Sequence, residues 1–377
     1  MTRTTPPRPD DIVAAFPQLA PLARTATRLH PRPGSPSPRE SSVGGPLLWP
    51  AAEPWPHCEG THRVPAVLPA TSPADVRLLR GIRAAARARP PGARSYTPQE
   101  HAVLARAGAG RPCPQGPVAM LAVAQLYVRE VPDLRPPESA DLLQVLWCPF
   151  DHPFDRPFDD PFDRLWGNMP RTELFWRSAT AVGEVLTAPP QPPAIQYEDY
   201  LPQPCLVSPE QVTEYPLAAE LDPDLRAQVR AWSARRKTGA EPGSAYDGAE
   251  DGYYNWELSV APGWKAGGWA PWSFTDPAPQ YCRACGCRMA PMLTIATKEH
   301  RADVHSWIPY EDRDAANRDA TTWAAANRDA TTWAAANRDA AHPDPATPTM
   351  ITIGDGYNQQ IYACPAAPDH PHAALLQ

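Results

Sequence analysis

The chain has 377 residues and a formal net charge of −7 at pH 7, so its surface as a whole does not attract nucleic acid or acidic membranes. Its 52 prolines remove backbone donors and fix φ, which excludes long helices and favours short strands joined by turns. No apolar run approaches the roughly 20 residues that span a bilayer, and the first residues lack the apolar core of a signal peptide. Because the eight cysteines are unevenly spaced, they do not form the pattern of a disulfide framework. We therefore expect a reduced, cytoplasmic protein.

The first 232 residues are expected to form a tail and an N-terminal half. Residues 1–43 are predicted to form the tail and a short helix, which Asp10 or Asp11 can cap. Residues 44–232 are predicted to form the N-terminal half. Its strands are expected where aliphatic and aromatic residues are bounded by proline. These segments are 120–129 and 142–148, with weaker candidates at 173–179 and 194–200. A helix should begin at Asp222-Pro223.

Two arginine-rich helices are predicted to interrupt this half between residues 71 and 112. Ser72 followed by Pro73 opens the first, and a capping box from Thr97 to Glu100 opens the second. The first helix is expected to carry a stripe of five arginines: Arg77, Arg80, Arg83, Arg87 and Arg89. Nucleic acid or an acidic partner could bind this stripe, but we favour a solvated face of a helical insertion.

Two tandem repeats stand out. Residues 149–164 repeat the tetrapeptide PFDH-PFDR-PFDD-PFDR. Proline at every fourth position excludes a helix that would align the carboxylates, and a calcium loop needs glycine turns. We interpret the repeat as slippage in a tolerant loop. Residues 315–341 repeat a ten-residue unit that matches neither helix nor strand, and this segment is expected to be an exposed insertion.

Residues 233–252 are predicted to form a polar linker before a C-terminal half at 253–377. Strands are expected at 254–261, 292–297, 350–353 and 360–364, with a further candidate at 305–307. Asp355 lies between two glycines and is better explained as a turn former than as a catalytic base.

The two halves share ordered motifs that indicate an internal duplication. Gly44, Gly45, Trp49, Pro54 and Pro56 match Gly267, Gly268, Trp272, Pro277 and Pro279 at constant spacing. Residues 120–124 and 146–149 likewise match 292–296 and 362–365, in the same order. This pattern predicts two related halves of short strands and short helices, with the helical insertion in one of them. It requires Trp49 and Trp272 to lie in corresponding settings.

A cysteine knuckle at Cys282-x-x-Cys285-Gly286 has the form of half a zinc ribbon. Cys364 is the natural third ligand, because the duplication places it on a neighbouring strand. The fourth is open, with Cys287, His300, His370 and His372 as candidates. Zinc is thus a possible cofactor, but we favour reduced cysteines that pack a small sub-core. Cys58 with His57 and His62 offers a second cluster, for which packing is again the favoured interpretation.

The chain lacks the short motifs of common enzymes. It contains no nucleophile elbow, P-loop, dinucleotide-binding glycine motif or H-E-x-x-H zinc motif. The sequence therefore assigns no catalytic residue.

Together, the segments GGPLLWPAAEPWPHC, LLQVLWCPFDHP, LSVAPGWKAGG, CRACGCRMAPMLTIAT and GDG…IYACP resemble the YwqG-like family of unknown function. The resemblance covers most of residues 10–370 outside the repeats. It implies an α+β fold dominated by antiparallel sheet, a cytoplasmic protein and no established activity. Relatives would carry a second C-x-x-C at the final strand, where this chain has Cys364 and Ala367. Some members of the family lie near toxin–immunity genes, and this association alone implies an immunity-like role.

These observations favour a non-enzymatic protein-binding module, immunity-like or scaffold-like, with a partner surface at Trp264, Trp269 and Trp272. Buried lids are an equal interpretation of these tryptophans. The alternative is a hydrolase-type enzyme with its site between the halves, including Asp355 and a histidine. A third is nucleic-acid binding through the arginine helices.

Overall fold

A computed structural model of the chain describes residues 2–60, 62, 70–90, 95–114, 116–153, 168–236, 250–301, 304–313 and 345–377. The helices are α1 (Ile12–Ala15), α2 (Pro73–Arg87), α3 (Pro98–Gly108) and α4 (Pro223–Arg236). The strands are β1 (Arg24–Arg28), β2 (Arg32–Pro33), β3 (Ser42–Val43), β4 (His57–Cys58), β5 (Val118–Ala119), β6 (Leu121–Tyr127), β7 (Leu142–Pro153), β8 (Asn168–Arg177), β9 (Cys205–Leu206), β10 (Glu210–Glu214), β11 (Lys265–Gly267), β12 (Ala290–Ala296), β13 (Asn358–Ala363) and β14 (Ala373–Leu376).

The strands form two six-stranded sheets and a small two-stranded one. The first sheet has the order β10-β1-β11-β12-β13-β14, the second has the order β2-β9-β3-β6-β7-β8, and β4 pairs with β5. Neighbouring strands are antiparallel throughout the described pairings. One apolar cluster joins the sheets, with Val123 and Leu143 from the second and Leu293 and Ile361 from the first. The predicted α+β class with mostly antiparallel sheet is therefore confirmed.

Four consecutive strands of each sheet pair in the same register. The run β3-β6-β7-β8 corresponds to β11-β12-β13-β14. Each run has a bulge at the same place, between Ala122 and Ala124 in one and between Pro291 and Leu293 in the other. The predicted match of residues 120–124 with 292–296 is therefore wrong by three residues, because the register aligns Ala124 with Leu293. The paired residues Ser42↔Gln125, Gln125↔Gln144 and Gln144↔Phe175 of one run match Lys265↔Thr294, Thr294↔Gln360 and Gln360↔Leu375 of the other.

The outer strands cross between the two sheets. β1 precedes β3 in the chain but pairs with β11, and β9 precedes β11 but pairs with β3. β2, which follows β1, pairs with β9 at Arg32↔Leu206. β10, which follows β9, pairs with β1 at Arg28↔Glu210. The segment before residue 44 thus supplies β1, β2 and β3 to the sheets.

Both glycine pairs turn the chain at the end of a strand. Gly44 and Gly267 have φ of 63° and 72°, a left-handed region that glycine adopts without strain. A Cβ on Gly44 would lie 2.8 Å from Cβ of Pro202. Gly268 has φ of 69° and lies against the carboxylate of Glu214 so closely that a Cβ would overlap it.

Several predicted strands are absent from the described residues. Residues 254–261 are wrong as a strand, since Tyr254–Ser259 forms a π-helical turn. Its register places Tyr254 and Leu258 on one face, in a cluster with α4, and Ser259 Oγ donates to the Asn255 carbonyl. Sequence alternation and helical spacing cannot be separated over so few residues.

The other strand corrections have local causes. Residues 350–353 are not a strand, because Met350 has φ of 53° and Ile353 N donates to Thr297 Oγ1. Residues 305–307 form a turn. In 194–200, only Ile195 makes a bridge, and Glu198–Tyr200 is a 3₁₀ turn.

The first tetrapeptide of the PFD repeat is part of the fold, contrary to the expected tolerant loop. Residues 149–153 extend β7, and Phe150 is fully buried. The buried carboxylate of Asp151 accepts hydrogen bonds from Tyr200 Oη at 2.6 Å and from Gln196 Nε2 at 2.8 Å. Burial raises the pKa of Asp151, while these donors oppose that rise. Residues 154–164 and the repeat at 315–341 lie outside the described residues.

Candidate metal centres

The predicted cysteine knuckle forms a tight turn beside the end of β13. Cys282 N donates to the Cys287 carbonyl at 2.9 Å, and Gly286 N donates to the Cys282 carbonyl at 2.8 Å. Gly286 has φ of 72°, so a residue with a side chain would be strained there. Cys364 directly follows β13. The turn therefore presents Cys282 and Cys285 towards Cys364.

Four side chains converge at this knuckle: Cys282, Cys285, Cys364 and His370. Their ligand atoms all lie within 4.8 Å of one another. The Cys285 and Cys364 sulfurs are 3.5 Å apart, and Cys282 Sγ is 3.5 Å from His370 Nδ1. A tetrahedral zinc ion with ordinary bond lengths has sulfur–sulfur edges of about 3.8 Å and sulfur–nitrogen edges of about 3.6 Å. The cluster could therefore hold a metal ion.

The sequence left both Cys287 and His370 as candidates for the fourth ligand, and the structure distinguishes them by their distances to the other three ligands. His370 completes the mutual cluster. Cys287 Sγ lies 3.3 Å from Cys285 Sγ and 3.2 Å from Cys364 Sγ, but it does not belong to the set in which all atoms are close. His372 is elsewhere, with Nε2 at 3.2 Å from Thr172 Oγ1.

The four ligands of the knuckle differ in the protonation state that their surroundings favour. Hydrogen bonds with the thiols of Cys364 and Cys282 raise the pKa of His370. Burial opposes ionisation of Cys364, yet hydrogen bonds, that of Cys287 foremost, lower its pKa to about 6. Thiolate is the form of cysteine that binds metals, and the pKa of Cys364 favours it near neutral pH. The backbone hydrogen bond of Cys287 lowers the pKa of Cys285, but thiol hydrogen bonds with Cys287 and Cys364 outweigh it and raise that pKa to about 12. A metal would therefore have to displace protons from Cys285 and His370.

A second cluster of the same kind lies in the N-terminal half: Cys58, His62, Cys148 and His152. Their ligand atoms also lie within 4.8 Å of one another. Cys58 Sγ is 3.4 Å from His152 Nε2, and Cys148 Sγ is 3.3 Å from His62 Nε2. Cys58 and Cys148 are buried free thiols. This cluster could hold a metal ion as well.

The two buried thiols of this second cluster have pKa values shifted in opposite directions. The Cys148 thiol hydrogen-bonds to Cys58 and lowers the pKa of Cys58, with His152 adding to the effect. The same contact, together with burial, raises the pKa of Cys148. The pair therefore favours one thiolate and one thiol when no cation compensates the charge.

The backbone around the two clusters shares a strand pairing and a hydrogen bond. The pair His57↔Ala119 of β4 and β5 corresponds to the bridge Tyr281↔Arg288. Met120 N donates to the Pro56 carbonyl at 3.0 Å, and Met289 N donates to the Gln280 carbonyl at 2.8 Å. In the register of the sheets, Cys148 and Cys364 occupy the same place.

Each cluster rests on an apolar patch that contains a tryptophan. Trp49 packs with Cys58, Met120 and Cys148, and Trp272 packs with Cys282, Met289 and Cys364. Trp49 also contacts Phe175 on β8, and Trp272 contacts Tyr362 on β13. Both tryptophans thus pack beside a cysteine cluster, but Trp49 is buried and Trp272 is half-buried, and their aromatic contacts lie on strands that do not correspond.

The sequence-based view of the second cluster was wrong in its membership. His57 Nδ1 faces the Trp55 carbonyl at 2.8 Å instead of the cluster. Cys148 and His152 were missed because His152 belongs to the repeat that was assigned to slippage. A signal was present: Cys58 and Cys148 each precede a histidine at the same C-x-x-x-H spacing. Only the fold shows that the two motifs meet.

The three tryptophans of the predicted partner surface have different environments. Trp264 is buried, with 1% of its surface exposed, and its Nε1 donates to the Ala296 carbonyl. Its role as a contact surface is therefore wrong, since it fills the core between the sheets. Trp269 and Trp272 are half-buried, and the Arg24 guanidinium lies 3.5 Å from the Trp269 ring centroid.

The arginine stripe of α2 is largely engaged within the chain. Arg80 donates to the Glu198 carbonyl at 2.7 Å, and Arg83 donates to the Glu198 carboxylate at 2.7 and 2.8 Å. Arg77 contacts Gln191, and Arg89 pairs with Glu100. The predicted capping box at Thr97 and Glu100 is confirmed. These contacts dock α2 on the fold and leave the stripe less charge to offer to nucleic acid.

The residue on which the enzyme alternative depends is exposed. Asp355 lies in a turn between Gly354 and Gly356, which have φ of 55° and 102°. No described contact joins it to a histidine, so it does not contribute to a catalytic pair among the described residues.

None of the described helices is both long and apolar enough to cross a bilayer. No family model matches the chain, and no curated protein matches it either.

Proposed function

We propose that the chain is a non-enzymatic protein-binding module whose C-terminal half is held together by a structural zinc ion. The observation that carries this proposal is the convergence of Cys282, Cys285, Cys364 and His370. Four protein ligands fill a tetrahedral shell and leave no position for water or substrate, which is the pattern of structural and not of catalytic zinc. The C-x-x-C spacing and the glycine turn belong to the same pattern.

The zinc ion would rigidify an exposed surface at the knuckle. We define this knuckle surface as Tyr281, Arg283 and Arg288, which are all exposed. Tyr281 leaves 60% of its surface in solvent, directly beside the buried Cys282. Tyrosine and arginine dominate the energetics of protein interfaces, and a turn fixed before binding loses less entropy when it binds. The partner is therefore expected to be a protein, as for an immunity-like or scaffold-like role.

We also infer that the two halves arose by duplication and that the chain belongs to the YwqG-like family. The duplication is supported by the shared strand order, the shared bulge and the corresponding hydrogen bonds of Met120 and Met289. The family is supported by the ordered motifs of the sequence. Neither inference supplies an activity.

A capture experiment tests the binding role. The full chain is immobilised, exposed to native lysate, and the retained proteins are identified by mass spectrometry. We expect a specific protein that Tyr281→Ala no longer retains. Tyr310→Ala is the matched control, since Tyr310 is also exposed, at 50%, but its backbone N–H donates to the Thr4 carbonyl and it is not part of the knuckle surface. Equal capture by Tyr281→Ala, or no specific protein on the unaltered chain, would refute the proposed surface.

Metal analysis tests the zinc ion separately. The protein purified without chelator should contain zinc, and Cys364→Ser should lose about one equivalent per chain. Cys205→Ser is the matched control, because Cys205 is also a buried free thiol and its sulfur contacts the Pro348 carbonyl instead of a cluster. Retention of all the zinc by Cys364→Ser would contradict the assignment.

A further inference from the structure

The N-terminal cluster has features that packing alone does not explain. Two cysteines and two histidines converge from separate parts of the chain, with Cys58 on β4 and Cys148 on β7. The rings of His62 and His152 are 5.1 Å apart and nearly perpendicular, at 80°, so each turns an Nε2 towards a different sulfur. We propose that Cys58, His62, Cys148 and His152 form a second structural zinc site.

The donor set selects the metal. Two thiolates and two imidazoles suit zinc, whereas magnesium and calcium require oxygen ligands. The closest sulfur–nitrogen distances, 3.3 and 3.4 Å, are near the edge of about 3.6 Å in a tetrahedral zinc site. All four ligand positions come from the protein, so this site is also closed to substrate. A bound zinc ion would compensate the negative charge of two thiolates. Without a cation, the cluster does not favour two thiolates side by side.

The position of the site suggests what it does. In the C-terminal half, only residues 283–286 separate Cys282 from Cys287 at the turn. In the N-terminal half, the corresponding strands β4 and β5 are separated by residues 59–117, which include α2 and α3. Closing so long a loop costs conformational entropy. His62 lies near the start of this insertion, so a zinc ion on His62, Cys58, Cys148 and His152 would fasten its first residues to the sheet.

The helices of the insertion are held by different contacts. Arg83 pairs with Glu198, and Arg111 pairs with Asp75 within the insertion. These ion pairs are partly exposed and contribute little individually. Thr71 is joined to Ile195 by backbone hydrogen bonds of 2.9 and 2.8 Å. The zinc site would add an attachment ahead of this bridge, at the first residues of the insertion. It does not depend on the C-terminal site or on the proposed binding role.

Zinc content per chain tests this inference. We expect about two zinc ions in the unaltered protein and about one in His62→Ala. His57→Ala is the matched control and should retain two, because His57 is near in sequence but its ring faces Trp55. Circular dichroism of each variant establishes that it is folded.

Cobalt substitution provides a readout that does not depend on one variant. In Cys364→Ser, the remaining cobalt should have the ligand-field spectrum of a tetrahedral two-thiolate, two-imidazole site. In His62→Ala, it should have the spectrum of a three-thiolate, one-imidazole site. Each signal reports one cluster, so a folding defect in one variant leaves the other informative.

The outcomes separate this inference from the zinc ion proposed above. One zinc ion that is lost in Cys364→Ser but kept in His62→Ala would overturn the second site and leave the knuckle site standing. One zinc ion with the opposite behaviour would support the second site and overturn the knuckle site. A protein with no zinc under chelator-free purification, and with no cobalt spectrum after reconstitution, would overturn both.

Discussion

Lys265 Nζ lies 2.6 Å from Glu214 Oε1, and both side chains are fully buried. The two oxygens of Glu214 also accept from Ala261 N at 2.9 Å and from Trp269 N at 2.7 Å, and Lys265 donates a second bond to the Trp269 carbonyl. The pair therefore joins β10 and β11 to the turn at Gly267-Gly268. Its groups are satisfied by structure, which favours a structural over a catalytic role.

Glu214→Gln should destabilise the fold by about 3–5 kcal/mol, because the ammonium of Lys265 would remain buried without its counter-charge. Equilibrium denaturation by urea measures the change. Glu250→Gln is the control, since the pair of Glu250 with Arg230 is exposed and should contribute at most about 1 kcal/mol. Equal effects of the two substitutions would show that the buried pair is not what holds the turn.

Gly268→Ala should also be destabilising, by about 2–3 kcal/mol, because the added Cβ would overlap Glu214 at a left-handed φ. Gly116→Ala separates the two causes, since Gly116 has φ of 86° but no atom within 4 Å of a Cβ. Gly116→Ala should lower the free energy of unfolding only by the cost of backbone strain. If the two variants have the same denaturation midpoint, contact with Glu214 is not the reason for glycine at 268.

The sequence was sufficient to predict features that depend on local chemistry. Proline, glycine and alternation placed the core strands β6, β7, β12 and β13, and the capping box placed α3. The same local rules failed at residues 254–261, where burial against α4 selects a π-helical turn. They also failed to connect His62 with His152, because the contact of two C-x-x-x-H motifs depends on how the β4–β5 pair lies against β7. Long-range pairing of this kind is not encoded in the spacing of neighbouring residues.

His370 and Cys287 should differ in their effect on zinc affinity. His370→Ala removes a ligand and should weaken binding by more than the roughly 10–100-fold that outer contacts contribute. Cys287→Ser should stay within that range, because its sulfur neighbours Cys285 and Cys364 without joining the full cluster. Competition with a chromophoric chelator measures both affinities. A larger loss in Cys287→Ser would assign the fourth ligand to Cys287.

His30 should make stability depend on pH in the mildly acidic range. Burial, and then the charge of Arg28, lower its pKa from 6.5 to about 4. Arg32 acts in the same direction, whereas Glu210, 3.1 Å from Nε2, opposes the shift, and Glu299 lies 3.9 Å from Nδ1.

Between pH 6.5 and 4, the unfolded chain binds a proton on His30 that the folded chain does not, so stability should fall as the pH falls. The contribution is about 3 kcal/mol. His30→Asn tolerates the φ of 44° at this position and should flatten this part of the stability curve. His57→Asn controls for the loss of a histidine, because His57 is exposed. Parallel curves for the unaltered protein and His30→Asn would refute the assignment.

The crossing of β1 and β9 between the sheets predicts that the two parts of the chain cannot separate while they are folded. A protease site introduced between Arg236 and Glu250 would divide the chain after α4. The first fragment then contains β1 and β10, and the second contains β11, to which β1 is paired at Ala26↔Gly267 and Arg28↔Lys265.

Because these hydrogen bonds and the apolar cluster common to both sheets persist after the cut, the fragments should elute together in size-exclusion chromatography. They should separate only in denaturant. The same protease site without protease treatment controls for the insertion itself. If the cut chain dissociates in buffer into two folded fragments, each half can complete its own sheet, and the crossed pairing of β1 with β11 is not required for folding.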